Sequence, residues 1–326
     1  MKRTLVLLCG VVCLAIAWTC SSPPAAEPVA ASPNLEEIAD GVWFRMGERD
    51  QGHCNNVVID LGESLLIIDA NFPSGAKALM EDLKTISDKP VKYVFDTHHH
   101  GDHAYANEVW TRAGATTLAY IGVAEEMKRY EPAGWQSAAA SRPDVAAVGA
   151  DTVQPPQQTF SEIPHIIDEG GRRVELHHFG WAHTRGDGFA YLPEENILCT
   201  GDAIVNGPFN FTGHGNTGNW PNVARQVQTL NPAKVLPGHG PAGGPEIIAG
   251  QLQFFEELNA AVEAAFSAKT ALEDVVTVED GAGVSTTIEL SDAVSNWVGD
   301  RFAEQVRVRY AELAEGKPHG EILAGP

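Results

Sequence analysis

Cysteine is nearly absent where a fold could use it. The chain has 326 residues and five cysteines, and three of these (Cys9, Cys13 and Cys20) fall in its first twenty residues. Cys54 and Cys199 remain, each in or beside a strand-like run. Both are expected as buried thiols rather than a disulfide, so stability must come from a core. Cations are scarce too, since 22 Lys and Arg stand against 43 Asp and Glu for a formal net charge of −21. Such a field repels phosphate backbones and excludes nucleic acid as a partner. Long apolar runs are missing except "LVLLCGVVCLAIAW" (5–18), which is too short to span a bilayer comfortably. No internal repeat is present.

Lys2 and Arg3 before that run give it the form of an export signal. It ends at "AWTCSSPPAAEP", which resembles a bacterial lipoprotein lipobox with Cys20 as the acylated residue. We therefore expect a signal peptide over 1–19 and a tether over 20–35. The protein would be an exported periplasmic or outer-membrane lipoprotein, held at the membrane by a lipid on Cys20. Cleavage after Ala17, giving a soluble exported chain, is the alternative.

The rest reads as alternating strand and helix. "CNNVVIDLGESLLIIDAN" (54–71) is a hairpin, "PSGAKALMEDLKTIS" (73–87) a helix, and "VKYVFDT" (91–97) a buried strand. Residues 134–160 lack clear periodicity and are expected as a mobile connection or helical lid. Strands resume in "HIIDEGGRRVELHHF", "GFAYLPEENILCTGDA" and "AKVLPGHG", and Asn219 is placed as the N-cap of a helix over "VARQVQTL". From about residue 244 the chain is mostly helical, with "AVSNWVGDRFAEQVRVRYAEL" (293–313) its most periodic piece. We expect a catalytic domain over 36–260 and a C-terminal helical appendage over 261–326.

"THHHGDHAYAN" (97–107) packs four histidines and an aspartate into seven consecutive residues, right after the 91–97 strand. Neutral imidazoles and carboxylates are the ligands of zinc-type ions. In extended backbone alternate residues point the same way, so His98 and His100 can grip one ion together. Asp102 and His103 follow on the turn and can face a second. More ligands are needed, and His183 in "WAHTRGD", His239 in "PGHG" and Asp202 in "CTGDA" are the candidates, the last able to bridge two ions.

"THHHGDH", "AHTRGD", "TGD" and "PGHG", in that order and preceded by "LLIIDAN", resemble the metallo-β-lactamase-fold hydrolase superfamily over about residues 36–260. The resemblance implies an α/β fold, a four-layer αβ/βα sandwich of two mixed sheets flanked by helices, with the site at one edge. It implies two Zn2+ ions per chain, His98, His100 and His183 on one, Asp102, His103 and His239 on the other, and Asp202 between them. It also implies that Asp69 braces the ligand loop from behind.

Two ions sharing a hydroxide make a nucleophile at neutral pH and polarise a carbonyl, with Asp102 able to ligate and to steer the proton. The expected activity is a zinc-dependent hydrolase that cleaves a C–N or C–O bond of a small carbonyl substrate, β-lactamase-like. The alternatives are a lactonase or a glyoxalase II-like thioesterase, and, in another class, a non-catalytic metal-binding protein. True β-lactamases place Cys or Ser where Asp202 stands, and the best-known subclass holds the drug carboxylate with a lysine three residues further on, where this chain has Val205. His53, His214, Trp181 and Arg185 are candidate pocket residues, Arg185 for an anionic group. His99 is expected to point away from the metals, one of His177 and His178 to face the core and the other solvent, and His165 and His319 to lie on the surface.

Overall fold

The computed structural model describes residues 34–324. The expected signal peptide, Cys20 and the tether up to residue 33 lie outside the described residues. Period-2 patterning builds two sheets. The first runs in chain order: β1 (Leu35–Ala39), β2 (Val42–Arg45), β3 (Asn56–Asp60), β4 (Leu65–Ile68), β5 (Val91–Phe95), β6 (Thr116–Tyr120) and β7 (Gln158–Phe160). Its first four strands are antiparallel and its last four parallel, so it is mixed. The second contains β8 (His165–Glu169), β9 (Arg172–His177), β10 (Phe189–Leu192), β11 (Ile197–Gly201) and β12 (Lys234–Pro237), antiparallel except where β12 joins β11.

Ten helices accompany the sheets among the described residues. They are α1 (Pro73–Leu83), α2 (Gly101–Ala104), α3 (Asn107–Arg112), α4 (Ile121–Ser141), α5 (Pro143–Ala146), α6 (Trp220–Gln228), α7 (Glu246–Ser267), α8 (Leu272–Val275), α9 (Phe302–Glu315) and α10 (His319–Ala324). None is long and apolar enough to cross a membrane.

Alternation along single strands assigns the layers. In β4, Leu66 and Ile68 enter the core between the sheets, while Leu65 and Ile67 pack outward on Leu79 of α1 and Trp110 of α3. In β11, Ile197 and Cys199 face the inner core, and Leu198 faces α6 and α7 with Trp220 and Phe255. The result is helix, sheet, sheet, helix, the expected sandwich. Cys54 and Cys199 are buried free thiols.

Several expectations are corrected. Of the two readings of residues 134–160, the mobile connection is replaced by helix up to Ala146, because α4 and α5 dock through Trp135, 2% exposed, into a satellite core with Val123 and Val145. The periodic 293–313 stretch breaks at Gly299–Asp300, leaving a 3-10 turn (Asp292–Trp297) before α9. The boundary placed after residue 260 falls inside α7, and beyond it β13 (Val276–Glu279) pairs with β14 (Ala282–Thr286), so the tail is not wholly helical. Val294, Trp297 and Val306 share one core with Trp220 and Val227. Asn219 precedes α6 without capping it, because its backbone is already helical and its side-chain oxygen accepts from Asn222, while its amide donates to the Trp181 carbonyl at 2.9 Å. His319 is buried and bonds the Gly213 carbonyl at 2.7 Å, and half-buried His165 stacks on Phe160. His177 and His178 are both covered, the second lying flat on Tyr120 at 4.0 Å, so neither faces solvent freely.

Candidate metal centre

Strand ends at one edge of the sandwich supply the site. Asp69 follows β4, the histidine run follows β5, Asp202 follows β11 and His239 follows β12, while His183 sits on the loop between β9 and β10. This edge is where parallel strands end and their connections begin, so residues far apart in sequence converge there.

Three imidazoles turn one nitrogen each toward a common point. His98 Nε2 lies 3.0 Å from His100 Nδ1, His183 Nε2 lies 2.9 Å from the same atom, and the two Nε2 atoms are 3.2 Å apart. The far nitrogens are committed elsewhere. His183 Nδ1 donates to the Phe211 carbonyl at 2.9 Å, His98 Nδ1 meets the Thr97 hydroxyl at 3.1 Å, and His100 Nε2 meets His214 Nδ1 at 2.9 Å. Lone pairs crowded in this way repel one another unless a cation sits between them. Ligand nitrogens about 2.0–2.1 Å from a tetrahedral ion are separated by roughly 3.3 Å, close to the triangle seen. Burial, and then the neighbouring imidazoles, push His98 and His100 well below the usual histidine range. Burial likewise takes His183 down to about 4. All three are neutral at pH 7, the form that binds metal.

A second group adjoins the first. His239 Nε2 is 3.0 Å from Asp102 Oδ2, and His103 Nε2 is 3.6 Å from the same oxygen. Asp202 stands between the groups, its Oδ1 3.4 Å from His103 Nε2, its Oδ2 3.5 Å from His239 Nε2 and 3.9 Å from His183 Nε2. His103 Nε2 and Asp202 Oδ1 are buried with no hydrogen-bond partner, as unfilled ligand atoms would be. Burial pushes His103 and His239 down, but Cys54 and then the carboxylates of Asp69, Asp202 and Asp102 outweigh it at His103, and Asp202 and Asp102 outweigh it at His239, so both are raised. Burial also pushes Asp102 up, and the His103 and His239 imidazoles outweigh that and hold it well below the carboxylate range. The local field therefore favours positive charge, and a divalent cation fits these donors as well as protons do.

Buried supports fix the donors. Asp69, 1% exposed, accepts the Thr97 N–H and His103 Nδ1–H, both at 2.8 Å, which leaves the His103 Nε2 lone pair free to ligate. Asp187 was not foreseen in the sequence. It accepts backbone N–H groups from Ala182, His183 and Thr184 plus the Thr184 hydroxyl, and so shapes the loop that carries His183. Its signal was the short-range pattern of an acid three residues after Thr184, a turn in which a carboxylate caps backbone donors. Gly238 in "PGHG" has a steric role, since a Cβ there would lie 2.3 Å from Asp202 Oδ1.

The ligands open into a cavity of about 880 Å³. His53 and His214 line it, His53 bonded to the Ser74 hydroxyl at 2.8 Å. Arg185 and Trp181 do not line it, because the Arg185 guanidinium lies 4.1 Å from the Trp181 ring centroid and 2.9 Å from Glu321, on another face. Trp181 instead donates to the His214 carbonyl. His99 is buried, stacks on Tyr130 and turns Nε2 to His214 at 3.1 Å. Val205 is fully buried, with its N–H on Gln251 and its carbonyl on Trp297, so this position cannot present a side chain to the cavity.

Comparisons with known proteins agree with this architecture. The family model of the metallo-beta-lactamase superfamily matches residues 49–239. Among solved structures, a metallo-beta-lactamase from Pontibacter korlensis superposes with a TM-score of 0.56 at 21% identity, over 68% of this chain and 98% of that one. A metallo beta lactamase from Hirschia baltica gives 0.52 at 18%, over 68% and 96%. At such identity the likeness speaks for the fold.

Proposed function

The chain belongs to the metallo-beta-lactamase superfamily, a superfamily of metal-dependent hydrolases, and we propose that this member is a di-zinc hydrolase cleaving a C–N or C–O bond of a small carbonyl substrate. The observation that carries the reading is Asp202, whose two oxygens face histidines of different groups, Oδ1 toward His103 and Oδ2 toward His183 and His239. A pure storage site would need neither a carboxylate between two donor sets nor an open cavity beside them. Two divalent ions held by these donors would supply a nucleophilic hydroxide at neutral pH and polarise the substrate carbonyl.

The chain's own residues do the rest. His98, His100 and His183 form a neutral donor set, while Asp102, His103 and His239 form a charged one. Asp202 ties the two sets together, and Asp69 and Asp187 hold their loops. Asp102, a quarter exposed in the cavity lining and hydrogen-bonded to His239, stays ionised and is placed to steer a proton beside the reacting carbonyl. An aspartate at 202 holds its neighbours more tightly than Cys or Ser would. That suits esters and thioesters, whose leaving groups need little help, so lactone or ester turnover is proposed to exceed β-lactam turnover. The structural neighbours, named as metallo-beta-lactamases, keep the β-lactam in the panel.

The test is a purified chain from residue 33, reconstituted with zinc, its metal counted and its kcat/KM measured on lactams, lactones, thioesters and phosphodiesters. Two equivalents and turnover of a lactone or ester are expected. A folded protein that takes up no zinc would sink the reading, and a clear preference for a carbapenem would make β-lactamase its better description.

A further inference from the structure

Twelve arginines lie among the described residues, and ten of them have a carboxylate within ion-pair distance. That is expected of a chain so rich in acid. Arg49 and Arg301 have no such partner among the described residues, and both line the cavity above the ligands. Each also sits over a phenylalanine of one loop, Arg49 at 5.4 Å from the Phe209 ring centroid and Arg301 at 5.7 Å from that of Phe211. An arginine left unpaired in an acidic protein, steadied over an aromatic face within reach of a cavity, is available to a planar anion.

The wall that carries Arg301 is built into the fold. Trp297 Nε1 donates to the Val205 carbonyl at 2.9 Å, Asn296 Nδ2 to Asn206 Oδ1 at 3.2 Å, and Gln305 Nε2 to the Asn210 carbonyl at 2.7 Å. Between these ties Gly299 meets Pro208 so closely that a Cβ would lie 2.5 Å from the proline Cβ. The segment is thereby pinned to the loop after Asp202. It lies outside the family-matched residues 49–239.

We infer that Arg49 and Arg301 are specificity-determining residues and that the substrate is a carboxylate-bearing carbonyl compound with an apolar arm. The carboxylate is held by the two guanidinium groups, and the arm lies on Phe209, Phe211 and Met46. Asp300, on the same wall, turns away a second anionic group nearby and narrows the choice to one carboxylate. This inference rests on the hydrolase reading for its substrate chemistry but not for its binding.

The experiment has two arms, so that failures separate. Calorimetry with phenylacetate and phenylacetamide on the zinc-loaded wild type, R49A, R301A and R301K measures binding. Turnover of 4-nitrophenyl hemisuccinate and 4-nitrophenyl butyrate gives a kcat/KM ratio, anionic over neutral. In R49A and R301A that ratio and the phenylacetate affinity are expected to fall about tenfold. R301K should recover part of the loss, and G299V, which pushes the wall from Pro208, should lower the ratio as R301A does. Affinity and ratio both within fivefold of wild type in R49A and R301A would overturn the inference and leave the metals as the whole of the carboxylate's recognition. If wild type hydrolyses neither ester, the hydrolase reading fails on these substrates, and the binding arm alone decides the inference.

Discussion

Replacing Asp69 by Asn tests the second donor group through a residue that does not itself line the cavity. Asp69 uses one oxygen for the Thr97 N–H and the other for His103 Nδ1–H, both at 2.8 Å, and is 1% exposed. An amide offers one acceptor and one donor in the same space. If its oxygen stays on Thr97, its NH2 faces His103 Nδ1, which must then lose its proton to Nε2, the atom turned toward Asp102 and Asp202. If it flips, Thr97 N–H faces a donor and the strand end carrying His98 must shift. The first outcome blocks a ligand atom, and loss of such an outer partner lowers metal affinity about 10–100-fold. Either outcome also removes a buried charge-assisted bond, worth about 2–3 kcal/mol of stability. For a domain of this size that lowers Tm by about 3–5 °C. Zinc affinity by competition with a chromophoric chelator, and thermal melts in chelator, are the assays. A D69N protein that bound zinc with wild-type affinity would refute the argument that Asp69 sets the His103 tautomer.

The other predictions follow from the same geometry. His98→Ala, His100→Ala and His183→Ala should each empty one metal equivalent first, and His103→Ala and His239→Ala the other, read by metal analysis after dialysis; uniform loss of both from every variant would contradict two separable donor sets. Burial takes His214 down to about 4 in the fold, whereas unfolded histidine titrates near 6.5. Between these values the unfolded chain binds the extra proton, so this residue makes metal-free stability fall as pH drops from 6.5 to 4. His214→Gln should therefore lose about 2–3 kcal/mol less than wild type over that window, and equal slopes in urea melts would contradict it. At the N-terminus, acylation of Cys20 predicts that the mature protein enters the detergent phase on partitioning and that Cys20→Ala moves it to the aqueous phase or blocks processing; a mature N-terminus at Trp18 by mass spectrometry would point to soluble export.

Local chemistry explains what the sequence made legible. "THHHGDH" declares its donors because one strand end and one turn place them together, and β4 shows its two faces in four letters. The outlying donors were readable because each sits in a short loop of its own. What stayed hidden depends on contacts between distant segments. Trp181 and Arg185 flank a ligand in sequence, yet the loop that Asp187 shapes turns them toward α10. His319, near the chain end, is buried only because α10 folds back on Gly213.

The separation between chemistry and selectivity follows from the same distinction. Metal donors must be held within tenths of an ångström, and they sit on short loops between strands whose ladders fix both ends. A substrate arm tolerates more variation, so its contacts can come from an added segment, provided that segment cannot swing. Here the helical pattern of 293–313 is interrupted at Gly299, where no Cβ would fit against Pro208. The interruption brings Trp297 onto the carbonyl of Val205, three residues after Asp202. Val205 is thus consumed by the core in this chain. Arg301 lines the cavity from that same wall. A break in periodicity that looks like a flaw in a helix is, in the fold, what turns a C-terminal segment into a wall of the site.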